Sequence, residues 1–188
     1  MAFNVNTFRS ELEAGGARPA LFEVRLSAPA GGIGGPGTDL ITKSPFMVRA
    51  ASLPSSTTST LTTSYFGRQV KMAGNRTFED WTTTIINDED FKIRNAVEVW
   101  QEFINSTTEN LRGYGSSNPN QYKGQATVTQ FSKTGQPLRT YTFNGLYPST
   151  VAPIDLEWGA DAIEEFTCTW SYDYWTVSGA TAAGKTPA

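Results

Sequence analysis

A chain of 188 residues, 38% of them hydrophobic and 18% charged, is long enough to bury one sizeable core and is rich enough in Ser and Thr to suit an all-β surface. It carries 15 Lys and Arg against 18 Asp and Glu, for a net charge of −3, with one cysteine and no histidine. The missing histidine excludes Ser-His-Asp and Cys-His nucleophilic machinery and every His-based metal site, and the single Cys168 excludes an internal disulfide.

In chain order, residues 1–13 are polar and lack the apolar core of a signal peptide. No apolar run approaches the ~20 residues of a membrane helix, so no membrane insertion is expected. Asn6 or Thr7 is placed to cap a short helix ending near Gly15-Gly16. Residues 21–27 read as a strand, 29–37 as a flexible loop with five glycines, and 46–53 as a second strand. Ten of the thirteen residues 52–64 are Ser or Thr. The stretch is either a disordered loop or an extended arm paired with something. The arm is favoured, because Thr-rich chains have β propensity and too few apolar side chains to fold alone.

Gly67 separates the alternating segments Tyr65-Phe66 and 69–72, where a tight reversal needs positive φ. Gly74-Asn75 signals the next turn, and 77–86 is aromatic and β-branched, as strands are. Asn87-Asp88-Glu89-Asp90 supplies N-cap candidates and first-turn acids for a helix over 89–105. Its Ile93, Val97, Trp100 and Ile104 form one apolar stripe that belongs in the core. Residues 111–123 are a turn-rich connection, and 125–132 with 138–143 flank Lys133-Thr134-Gly135-Gln136 as a β-hairpin. Strands over 151–158 and 163–175 follow. Phe166, Cys168, Trp170, Tyr172 and Tyr174 share a face of the last one, which makes Cys168 a buried structural thiol. Residues 1–177 are expected to form a single domain with an extended arm at 52–64, and 178–188 a flexible tail.

The pattern predicts a mainly β fold, α+β at most: an antiparallel β-sandwich or barrel with one main α-helix. Charge is segregated along it. Residues 40–78 carry Lys43, Arg49, Arg68, Lys71 and Arg76 and no acid, whereas 79–112 hold eight acids against three bases and 140–188 six against one. Such blocks are either solvated faces that average out or surfaces for docking on copies of the same chain. Other chemistry is thin. Asp155 and Glu157 share a strand face but read as a solvated edge, and adjacent Glu164 and Glu165 point to opposite faces. Residues 179–186 spell G-x-x-x-x-G-K-T, yet only two residues follow where a phosphate-cradling helix is required. No catalytic, metal or cofactor site is predicted.

Several strings resemble one family. The run SYFGRQVKMAGNRTFEDWTTTIINDEDFKIR, residues 64–94, resembles the tail tube proteins of T-even-type contractile phages, with their basic hairpin, aromatic-anchored strand and helix start. Ala17-Arg18-Pro19-Ala20-Leu21-Phe22-Glu23-Val24 resembles the family's first strand. Leu146-Tyr147-Pro148, Ile154-Asp155-Leu156-Glu157-Trp158 and the stretch from Glu164-Glu165-Phe166 to Trp175 resemble its closing strands. The resemblance implies a ring-forming sandwich whose sheets join into one barrel, with hexameric rings stacked as the inner tube of a contractile tail. It implies a sheath protein outside, baseplate and tail-terminator proteins at the ends, a tape-measure protein in the lumen and viral DNA passing non-specifically through it. The location implied is the virion tail, assembled in the host cytoplasm.

Within that reading Arg68, Lys71, Arg76, Asp155 and Glu157 are candidate residues for subunit or ring interfaces. Glu165, Thr167, Thr169, Ser171 and Asp173 are candidates for the lumen, because acidic and hydroxyl side chains pass a polyanion without holding it. Two alternatives stand beside it. One is the inner tube of a tailocin or type VI-like system carrying protein effectors. The other is a monomeric β-sandwich that binds glycans, for which Trp81, Trp100, Trp158 and Trp170 are unpromising because they lie on apolar stripes.

Overall fold

The computed structural model describes residues 5–12, 16–29, 32–112, 118–159 and 161–179. The chain runs α1 (Val5–Glu11), β1 (Phe22–Ser27), α2 (Gly35–Met47), β2 (Val48–Ala51), β3 (Thr57–Tyr65), β4 (Arg68–Thr77) and β5 (Trp81–Ile86). It continues through α3 (Lys92–Ile104), α4 (Pro119–Tyr122), β6 (Gly124–Phe131), β7 (Pro137–Val151), β8 (Glu165–Ser171) and β9 (Tyr174–Ser178). Every described ladder is antiparallel. The fold is the expected β-rich sandwich, with two helices of 13 residues where one was predicted.

The 15-residue β7 belongs to two leaves. Its first part lies between β6 and β9, giving the leaf β1-β6-β7-β9, and Tyr147–Val151 pairs with β8 in the leaf β7-β8-β5-β2. The change of leaf follows Gly145, whose φ of 71° suits glycine and whose missing side chain makes room for Asp173. Alternation fills the space between the leaves. Val24, Leu26, Ala126, Val128, Tyr141 and Phe143 point inward from one, and Trp81, Ile85, Phe166, Cys168 and Trp170 from the other. The rings of Trp81 and Phe143 stack at 4.3 Å, and burial pushes the Cys168 thiol far up.

α3 closes the sandwich with the predicted stripe: Ile93, Val97 and Trp100 are buried and Ile104 packs against them. Trp100 meets Trp170 at 5.9 Å and donates its indole N–H to Tyr122 O at 2.7 Å. The helix start differs from expectation. Phe91 occupies the N-cap with φ 51° and no side-chain cap. Asn87 instead donates to Glu164 at 2.6 Å, and Asp88 and Asp90 both face Lys43 of α2. The Asp88 hydrogen bond raises the Lys43 ammonium above its ordinary value, and Lys92, followed by Lys43, holds Asp90 below the usual carboxylate range.

Other expectations are corrected in the same way. The glycine-rich loop turns at Gly35 into α2, so Phe46 is helical and only Val48–Ala51 of the predicted strand remains. Helix α2 is recognised by what it buries, Gly37, Leu40 and Ser44, a stripe with one large apolar member. Ser44 accepts from Leu26 N at 3.0 Å, which satisfies one backbone N–H of β1. Asn6 and Thr7 lie within α1, after its first residue Val5, and not at the cap position expected for them. The predicted strand 163–175 is two strands that reverse at Tyr172-Asp173, with Asp173 N bonded to Asn144 O at 3.0 Å. Most of the predicted tail, 180–188, and residues 13–15 fall outside the described residues.

Gly145→Ala forces an L side chain into the left-handed region and against Asp173 where β7 changes leaf. It is expected to lower stability by about 1–3 kcal/mol, measured by urea unfolding.

Candidate assembly surfaces

Strands β3 and β4 form a two-stranded ribbon that contacts itself and almost nothing else. Strand β3 covers most of the Ser/Thr-rich stretch 52–64, and its partner is the adjoining basic segment. Phe66 and Gly67 turn it with φ of 47° and 77°, both positive, as a two-residue hairpin loop requires. The expected turn at Gly74-Asn75 is absent. Gly74 lies inside β4, where the register shifts between Thr58 and Thr60, and a side chain there would collide with Ser59. The turn-forming residues make a bulge.

Pairing sorts the arm's side chains into two faces. Leu61–Met72, Thr63–Val70 and Tyr65–Arg68 share one, while Thr60–Ala73, Thr62–Lys71 and Ser64–Gln69 share the other. All are exposed, Leu61 by 57% and Tyr65 by 69%, and Phe66 at the tip by 89%. The candidate interface residues Arg68, Lys71 and Arg76 all lie on β4, Arg68 on the face of Leu61 near the tip, Lys71 on the opposite face and Arg76 near the root, and none makes an ion pair among the described residues. The arm's root is fixed. Trp81 donates its indole N–H to Ser52 O at 2.8 Å and Trp175 to Ser55 O at 3.1 Å. Glu79 and Asp80 flank this root beside Tyr172, whose phenol is raised by burial and then by those two acids.

Asp155 and Glu157 lie elsewhere, in the connection 152–164 between β7 and β8. The predicted strand 151–158 ends at Val151, because Pro153 offers no ladder N–H and the chain leaves the sheet. Asp155 and Glu157 are therefore loop acids and do not share a strand face. Leu156, Trp158 and Ile163 are strongly exposed beside them, Trp158 completely. That overturns the placement of Trp158 in the core, whereas Trp81, Trp100 and Trp170 are buried as expected. A lone exposed indole is no aromatic platform for a sugar.

Of the lumen candidates, Glu165, Thr167, Thr169 and Ser171 lie together on the outward face of their leaf, opposite Phe166, Cys168 and Trp170. Thr82, Thr84 and Thr150 extend that hydroxyl surface through register, and Arg49 pairs with Glu165. Asp173 is not with them. It sits in the β8–β9 turn, with its carboxylate on Lys123 at 2.6 Å. The other leaf has an outward face that the sequence reading missed. Rows such as Arg25–Thr127–Thr142–Thr176 and Glu23–Thr129–Thr140–Ser178 cross all four strands. Its signal was the alternation of polar residues at 125, 127 and 129 with those at 140, 142 and 144. Glu23 and Arg25 pair with each other, so this face too is nearly uncharged.

Among known proteins, the family described as phage tail tube protein matches residues 17–178. The tail tube protein gp19 of Enterobacteria phage T4 is 29% identical over 161 residues, covering 85% of this chain and 90% of that protein. The tail tube protein of Serratia phage KSP90 is 26% identical over 171 residues, covering 89% and 93%. A chain of the anti-feeding prophage baseplate superposes with a TM-score of 0.59 at 13% identity, over 88% of this chain and 97% of that one. A chain of the sheath–tube complex of an extracellular contractile injection system gives 0.55 at 14% identity, over 95% and 100%. At those identities the structures share a fold.

Because the arm adds nothing to the core, replacing residues 58–76 with a two-residue Asn-Gly turn is expected to leave the body folded. Near-UV circular dichroism should be retained, with unfolding free energy changed by less than about 1 kcal/mol.

Proposed function

The chain belongs to the phage tail tube protein family, structural proteins of the virion tail, and we propose that six copies close into a ring. Rings stack into the inner tube of a contractile tail, whose bore conducts DNA during ejection. Support comes first from the family match, which spans nearly every described element. It comes next from the sheet edges. Strands β1, β9 and β2 each have one side unpaired among the described residues. Open edges of this kind invite strand pairing with a neighbour, and closure of a ring removes them. Four strands per copy at ~4.8 Å spacing give six copies a backbone circumference of about 115 Å, a ring ~37 Å across.

The bore must pass a polyanion without binding it. Lysine or arginine on the wall would exchange with the counterions of DNA and hold it, whereas hydroxyls do not. The face carrying Glu165, Thr167, Thr169 and Ser171 meets this condition, because the one arginine beside it, Arg49, is already held by Glu165. Arg68, Lys71, Arg76, Asp155 and Glu157 act at the contacts between subunits or rings. A sheath protein surrounds the tube, baseplate and tail-terminator proteins engage its two ends, and a tape-measure protein fills the lumen before DNA enters.

Purified protein examined by negative-stain microscopy should give rings or hollow rods with no added cofactor. A strictly monomeric species at high concentration and physiological salt would count against the assembly. Within assembled phage, Thr167→Lys with Thr169→Lys is expected to leave tubes intact and to slow DNA release at least about tenfold. Normal release from that variant removes wall charge as the reason DNA keeps moving.

A further inference from the structure

The arm and the 152–164 loop leave the body at opposite ends of one strand pair. Strand β5 starts at Trp81, where the arm's root is pinned, and ends at Ile86, which faces Glu165 at the start of β8. Six extended residues place these ends roughly 17 Å apart. At one end the arm exposes an apolar face of Leu61, Val70 and Met72, and at the other the loop exposes Leu156, Trp158 and Ile163. Their charges are opposite. Residues 57–77 contain Arg68, Lys71 and Arg76 and no acid, and residues 152–164 contain Asp155, Glu157, Asp161 and Glu164 and no base.

From this pairing of unlike poles we infer that the arm of one copy lies on the 152–164 loop of a copy in the next ring, with Trp158 as the anchor. The inference rests on the tube reading above and names the receiving surface within it. Each partner offers what the other lacks. The apolar faces remove one another from water, and Trp is among the residue types that dominate interface energetics. The charges guide encounter and fix register. Two arms facing each other would set like charges together, as would two loops, so the contact favours arm on loop. Because the two surfaces differ, the contact is heterologous. It propagates instead of closing a pair, and gives a stack one direction.

The test uses the full-length chain alone, with assembly read by sedimentation and negative-stain microscopy. Trp158→Ala, the pair Arg68→Glu with Lys71→Glu, and the pair Asp155→Lys with Glu157→Lys should each raise the concentration needed for stacking at least about tenfold. All these positions are exposed, so circular dichroism and melting should match the parent. Combining both charge reversals in one chain restores opposite signs and should recover stacking. Trp158→Ala stacking like the parent overturns the inference, as does a combined reversal no better than either half. A parent chain that never assembles overturns the tube reading itself, and this contact with it.

Discussion

One strand holds the two leaves in a single body. Residues of β7 pair with β6 on one side and β9 on the other, and the same strand then crosses to pair with β8. That crossing requires a local bend, and Gly145 supplies it through a backbone conformation that L residues avoid. The core follows from the crossing, because it brings Phe143 of one leaf under Trp81 of the other. Trp100 then enters from α3 against Gly124 and Trp170, where no side chain at 124 would fit. With the leaves fixed in this way, the edges, the arm's root and the 152–164 loop all take defined positions.

Against that frame the arm has no explanation in monomer stability. An isolated two-stranded ribbon is at best marginal in water, and this one lends nothing to the core. Single exposed apolar residues are ordinary on a protein surface. A row formed by Leu61, Val70 and Met72 on one face, followed by Tyr65 and Phe66 at the tip, is a surface awaiting a partner. The two indole hydrogen bonds that tie Trp81 and Trp175 to the segment before β3 fix where the arm departs, which a purely disordered loop would not require.

How much of this was legible in the sequence depended on whether local pattern and tertiary role agreed. The alternation through Phe166, Cys168 and Trp170 and the stripe Ile93–Val97–Trp100 were read correctly, because the side chains that set the period are the ones buried. Helix α2 was missed because its buried positions are Gly37, Leu40 and Ser44, so its stripe is small and polar, with Pro36 and Pro45 masking it further. Trp158 was misplaced because Ile154-Asp155-Leu156-Glu157-Trp158 alternates like a strand, although it pairs with no strand among the described residues. Asn87 and Asp88 had good capping chemistry and used it on Glu164 and Lys43, tertiary partners that no local window contains. The candidate interface charges were visible as blocks. Their separation to opposite ends of β5 was not, since it depends on the course of the chain through the sheet.

That separation gives the charges an axial order that net charge conceals. Across the broad outward faces, the acids on the strands are already matched, Glu23 by Arg25 and Glu165 by Arg49, and what remains is hydroxyl and amide. Arg68, Lys71 and Arg76 of the arm and Asp155, Glu157 and Asp161 of the 152–164 loop have no ion pair among the described residues. Paired charges cancel one another's field at close range, while an unpaired cluster keeps a net field out to about a Debye length. In the proposed tube each copy therefore presents a nearly neutral wall to whatever moves along it and strong, opposite charge to the copies before and after it. Stacking neutralises the poles without adding charge to the wall, so the demands of assembly and of transport fall on different residues.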